Sequence, residues 1–258
     1  MNGNSKNPRP FFDTRGFLYV TGFLLCLTLT GASVSAQDGF ISSAGQNETL
    51  PQQKKATEPL SKAEILEAEN LLAGLGYWTG AIDGVFDEGS RQALIAFQKI
   101  TGRKRTGKLT RDEYAALLIA EKPLPREPGY AHVEVDLFKQ VLFMVDVEGA
   151  VSRILPISSG SGKEFTSEGW TRRAVTPTGK FTVCRKIQGW RKSPLGLLYY
   201  PNYICGGIAI HGNPSVPVTP ASHGCIRIPM FAAVEFSRLT PVGTIVVVHD
   251  EKPLALKP

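Results

Sequence analysis

Between His211 and Arg227 the chain reads HGNPSVPVTPASHGCIR, which gathers two of the four histidines and one of the four cysteines in 258 residues. A thiol becomes a strong nucleophile when it ionises. A nearby imidazole, cation or helix N-terminus lowers its pKa from about 8.5 towards neutrality. His211 as base, Arg227 as cation and a helix beginning a few residues after Cys225 would supply all three, so the stretch reads as a nucleophile with its base. A structural cysteine belongs in an apolar run, whereas Cys225 stands between Ser-His-Gly and Ile-Arg. Metal ligation is the competing reading, but zinc wants four ligands, or three and a water, and no C-x-x-C pattern is present. No metal and no cofactor are expected.

These residues need a frame. "GIAIH" predicts a strand that ends at His211, Pro214, Pro217 and Pro220 restrict the connection, and "MFAAVEFSRL" (230–239) predicts a helix. Before them, "HVEVDLFKQVLFMVDVEGAVSRILPISSG" alternates apolar and polar residues in three segments broken at "FK" and "EG", a meander, and "GKFTVCRKI" and "GTIVVVHD" add strands. Residues 130–250 are therefore expected to form a mostly β sandwich or barrel. Pro123, Pro125 and Pro128 mark a linker over 120–129. Upstream, Ser61 and Glu64 form a capping box, and Ile65, Ala68, Leu71, Leu72 and Leu75 fall at helical spacing. Segments from Ser90 and from Thr110 predict two more helices, giving a three-helix bundle over 61–119. The fold class is α+β and multidomain.

Residues 1–36 place Lys6, Arg9 and Arg15 before an apolar run and small residues at Val34 and Ala36, the pattern of a secretory signal cut after Ala36. An uncleaved membrane anchor is the alternative, and the destination would be the periplasm or cell wall. With three cations and one carboxylate lost, the charge falls from +6 to +4. That mild excess suits a polyanionic surface, and no basic cluster with interleaved aromatics suggests nucleic acid. Residues 37–60 read as a flexible tether, with a weak glycosylation sequon at Asn47, and 251–258 as a tail. Cleavage would remove Cys26 and leave Cys184, Cys205 and Cys225, an odd set in an exported protein, so at least one thiol is free or shared between chains.

"LGYWTGAIDGVF" and "AFQKITG" resemble the peptidoglycan-binding module of bacterial wall enzymes, except that Asp87 stands where glycine is usual. The resemblance makes Tyr77, Trp78 and Asp83 candidate contacts, though each could equally be packing or turn chemistry. "HG" followed by "SHGCIR", with "TPTGKF" and "GTIVVV", resembles the L,D-transpeptidases, which remodel peptidoglycan, over about residues 130–249. That resemblance implies Cys225 as nucleophile and His211 as proton acceptor and donor, oriented through the Gly212 carbonyl. Ser222 and His223 would shape the cysteine loop and Arg227 would help place the peptide. The Gly224 and Cys225 amides would supply oxyanion donors. Some members carry a serine after the first histidine where this chain has Gly212. His132 and His249 match no motif and read as structural or solvent-facing.

The implied reaction is acyl transfer from a tetrapeptide stem with release of D-alanine, to a second stem or a wall-attached protein. With water as acceptor the same site would be a carboxypeptidase or hydrolase, and a non-catalytic wall-binding protein is the third class. In the resembling family the region 188–203 tends to cover the site, making Trp190, Tyr200 and Tyr203 candidate substrate contacts. A Cys184–Cys205 bridge would close a loop of about 20 residues, worth about 3 kcal/mol in the chain-entropy model, and would leave Cys225 as the free thiol. Two reduced cysteines on neighbouring strands are the alternative.

Overall fold

A computed structural model describes residues 58–251. The expected signal, the sequon and all but the last three residues of the expected tether lie outside them, as does nearly all of the tail. Among the described residues, no helix is long and apolar enough to cross a membrane.

Three helices come first: α1 (Lys62–Gly74), α2 (Glu88–Ile100) and α3 (Arg111–Leu118). The Ser61–Glu64 capping box starts α1, and Arg111 reaches Glu64 Oε1 at 2.9 Å, tying the start of α3 to that cap. Asp87, the departure from the usual glycine, has a local use: its side chain accepts from the Ser90 amide and caps α2.

The remainder is a β sandwich. One sheet has the order β3-β2-β1-β12-β6, built from β1 (His132–Asp136), β2 (Val141–Val145), β3 (Val151–Pro156), β6 (Gly179–Thr182) and β12 (Ile245–His249). The second runs β11-β10-β9-β7, with β8 also paired to β9: β7 (Arg185–Lys186), β8 (Trp190–Ser193), β9 (Gly196–Cys205), β10 (Ile208–Asn213) and β11 (Ile226–Pro229). A separate hairpin joins β4 (Glu164–Ser167) to β5 (Trp170–Arg173), and α4 (Met230–Leu239) follows β11. Val133, Val135, Leu142, Leu155 and Val246 of the first sheet meet Ile204, Ile210, Ile226 and Phe236 in the sandwich core.

The meander forms as its turns dictate, but β2 does not alternate. "VLFMV" is buried at every position, so both faces of the strand need cover. Leu142 and Met144 face the sandwich core, while Val141, Phe143 and Val145, with Val151 and Ile154 of β3, share a core with Ala68, Leu72, Leu94 and Phe97 of the helices and with Tyr77 between α1 and α2. The edge of β3 is closed by the same module, because Ile154 bonds to Gly76 and Trp78 through backbone contacts of 2.8 and 3.0 Å. The helical module is thus a third layer of the sandwich rather than a separate body on a free linker. The Arg126 and Glu127 amides of the linker donate to buried Glu134.

Lys99 of α2 fastens this layer. It is 3% exposed, and its Nζ donates to the Gln140 and Ile157 carbonyls at 3.0 and 2.8 Å. Desolvation, helped by the Arg105 charge, pulls its pKa down to about 7.

Candidate active site

The segment that follows β3 is the template for the cysteine loop. Ser158 and Arg227 exchange backbone hydrogen bonds of 3.1 and 3.0 Å, the Ser159 carbonyl accepts from the Ala221 and Ser222 amides, and the Ser161 amide donates to Ser222. Gln140 holds the template from behind, its side chain bonding both the amide and the hydroxyl of Ser159. On the loop itself, Ser222 Oγ donates to the Cys225 carbonyl at 2.5 Å and accepts from the Gly224 amide at 3.0 Å. Thr176, within the "TPTG" stretch, completes the brace: its hydroxyl accepts from the Gly160 amide at 2.9 Å and donates to the Gly224 carbonyl at 2.7 Å. Nothing in that stretch of sequence by itself assigns Thr176 this task.

Parallel pairing of β10 with β11 sets His211 beside Arg227, with Cys225 just ahead of β11. His211, Ser222, His223, Cys225 and Arg227 line one cleft of about 660 Å³. His211 is buried, and its Nδ1 donates to the Gly212 carbonyl at 2.9 Å, which leaves the Nε2 lone pair as the basic position. Gly212 has no room for a side chain, since a Cβ there would lie 2.6 Å from that of Ala233 on α4. A carbonyl, not a serine hydroxyl, therefore orients this imidazole.

The helix begins a few residues after Cys225, as expected, with strand β11 between them. The expected lowering of the thiol pKa is corrected. The thiol pKa is raised, not lowered: burial pushes it up, while the Ala209 amide and the Arg227 charge pull less strongly the other way. Burial also brings His211 down to about 4; the Gly212 contact opposes this and Arg227 adds to it. At neutral pH the pair is thiol and imidazole, not thiolate and imidazolium. The oxyanion part expected of the Gly224 amide is likewise unavailable, because that amide is spent on Ser222 in a backbone held at φ +133°.

His223 is exposed and meets Phe165 of the β4–β5 hairpin edge-on, with ring centroids 4.8 Å apart. Of the expected substrate contacts, Arg227 and Tyr203 line the cleft, with Arg185 stacked 3.9 Å over the Tyr203 ring. Trp190 and Tyr200 do not. Each packs instead against Tyr199, with ring centroids 4.8 Å apart, on the β8–β9 hairpin, whose Arg191 and residues 193–198 do line the cleft.

The module's candidate contacts also fall elsewhere. Tyr77 is 2% exposed and packs edge-on against Phe97, a core position. Trp78 packs against the sandwich core beneath Arg153, and Asp83 accepts from the Val85 amide in a tight turn. Of the expected Cys184–Cys205 bridge, the Cys205 side chain lies outside what the structure describes. Cys184 is a free thiol donating to the Tyr203 carbonyl at 3.3 Å, and the β7–β9 register sets it across from Ile204, one position short of Cys205. His132, the first residue of β1, and His249, the last of β12, flank buried Glu134, a structural arrangement away from the cleft. Among the described residues, no cluster of three or more His, Cys, Asp or Glu side chains could hold a metal.

Comparison with known proteins places this geometry. Residues 130–248 match the L,D-transpeptidase catalytic domain family, YkuD, and residues 61–117 match a peptidoglycan binding domain family. Among solved structures, an L,D-transpeptidase from Xylanimonas cellulosilytica DSM 15894 is 38% identical, with 75% of this chain and 95% of that chain covered and a TM-score of 0.68. Looser likenesses include an L,D-transpeptidase from Stackebrandtia nassauensis (20% identity, 73% and 92% covered, TM-score 0.42). Another is from Mycobacterium smegmatis (23% identity, 46% and 58% covered, TM-score 0.38). Among curated proteins, none matches the chain.

Proposed function

Because the chain belongs to the L,D-transpeptidase family, we propose that it is an exported cysteine acyltransferase that takes a peptidoglycan tetrapeptide stem as donor and releases D-alanine. The observation that carries this reading is the Cys225 thiol in one cleft with a neutral imidazole whose Nδ1 is pinned to the Gly212 carbonyl. His211 Nε2 takes the thiol proton as Sγ attacks the carbonyl of the third stem residue. The tetrahedral oxyanion is stabilised by the Arg227 charge and by the Cys225 amide. Collapse breaks the C–N bond, the proton on Nε2 passes to the departing amine of D-alanine, and a Cys225 thioester remains. An acceptor amine then attacks the thioester and gives a proton to His211, which returns it to the thiol. Export is supported by the pattern of residues 1–36, and the helical module would keep the enzyme on the wall.

The test is mass spectrometry of the protein with a disaccharide tetrapeptide, with and without an acceptor amine. An acyl adduct on Cys225 that resolves to a cross-linked product is expected, and Cys225→Ser should lose several orders of magnitude in D-alanine release. Near-normal release by Cys225→Ser would overturn the proposal, and an adduct that yields only free acid with the amine present would make the enzyme a carboxypeptidase.

A further inference from the structure

The cleft carries more positive charge than the transfer step uses. Arg172 and Arg173 come from β5, Arg185 from β7, Arg191 from β8 and Arg227 from β11, and all five line it against a single carboxylate, Glu168. Among the described residues, none of the five is in an ion pair. Arg173 donates to the Gly162 carbonyl and Arg185 lies over Tyr203, but among the described residues the guanidinium groups of Arg172, Arg185, Arg191 and Arg227 reach no acceptor. Guanidinium stays charged at every physiological pH, and its fork of donors matches a carboxylate. Five like charges around one concavity repel each other when it is empty and focus an attractive field on an anion that enters it. Elsewhere the same chain pairs its arginines, as Arg91 with Glu88 and Arg238 with Glu235.

We propose that these arginines select a donor stem bearing several free carboxylates, so that a stem whose side-chain carboxylates are amidated is a poor donor. The proposal rests on the acyl-transfer reading of the cleft. D-Alanine brings one carboxylate, at the scissile end, which Arg227 beside the reacting pair can meet. The arginines on the two hairpins that rise on the cleft's walls, β4–β5 and β8–β9, are left for carboxylates further along the stem.

The test compares D-alanine release by the full chain from one disaccharide tetrapeptide with its side-chain carboxylates free and with the same groups amidated. Amidation should lower kcat/KM by roughly 10-fold or more, the size of one lost charge-assisted contact. Arg172→Gln with Arg191→Gln should collapse that preference towards unity, and added salt should erode it in the wild type. Alkylation of Cys225 reads the field without any stem: the rate ratio of iodoacetate to iodoacetamide should be higher in the wild type than in the double variant. Equal kcat/KM for the two stems, or an unchanged alkylation ratio, would overturn the proposal. Release from neither stem, with the alkylation ratio shifted as expected, would instead overturn the transfer reading and leave an anion-selective cleft.

Discussion

Replacing Lys99 by Met tests whether the helical module is a layer of the catalytic fold. Methionine keeps most of the side-chain volume but leaves the buried Ile157 carbonyl without its lysine donor, a loss of about 1–3 kcal/mol, and the Gln140 carbonyl with the Ile157 amide alone, a loss of about 0.5–1.5 kcal/mol. Against this, the native state holds Lys99 at about 7, from an ordinary 10.5. Between those values the unfolded chain binds more protons than the native one, so raising the pH stabilises the native wild type. Over the whole window that gain amounts to about 5 kcal/mol. The two effects oppose each other at neutral pH, where the variant should lie within about 3 kcal/mol of the wild type. In alkali the amine is neutral in both states and still donates to both carbonyls, so there the wild type should lead by about 1.5–4.5 kcal/mol. Urea unfolding of both proteins at pH values of about 7 to 10 measures the difference directly. A difference that does not grow with pH would refute the desolvated lysine, and with it the account of how α2 is fastened to the β3 template.

Truncation to begin at Gly129 should destroy cooperative folding, because it uncovers Val141, Phe143, Val145, Val151 and Ile154. At about 1.5–3 kcal/mol per side chain this approaches the stability of a whole domain. A sharp unfolding transition in the truncated protein would show that the module is dispensable. Thr176→Val should lower kcat for D-alanine release by 10-fold or more while Thr176→Ser restores it, roughly the effect of unpairing one buried group at the Gly160–Gly224 brace; loss of kcat in both would point to packing instead. The acid limb of kcat/KM should lie near pH 4, where His211 gains its proton, and not near 6.5. A pH-rate profile bending near 6.5 would mean that the imidazole is not buried in the working enzyme.

Local grammar carried the elements and the reacting groups. Apolar spacing and the Ser61–Glu64 box predicted α1, the meander followed from its turn residues, and "HG" with "SHGCIR" singled out His211, Cys225 and Arg227, whose surroundings in the chain were legible as they stand. Three-dimensional neighbours decided the rest. The unbroken run "VLFMV" was a visible sign that both faces of β2 are covered, but which segment covers the second face depends on residues more than forty positions upstream. The direction of the Cys225 pKa went the other way from the sequence reading for the same reason. Motif residues supply the charges that lower a thiol, whereas desolvation is a property of everything packed around it. Thr176, Lys99 and the ring of arginines act through partners drawn from separate strands, and such convergence leaves no periodicity or spacing in the chain, so only the tertiary structure gives them their places.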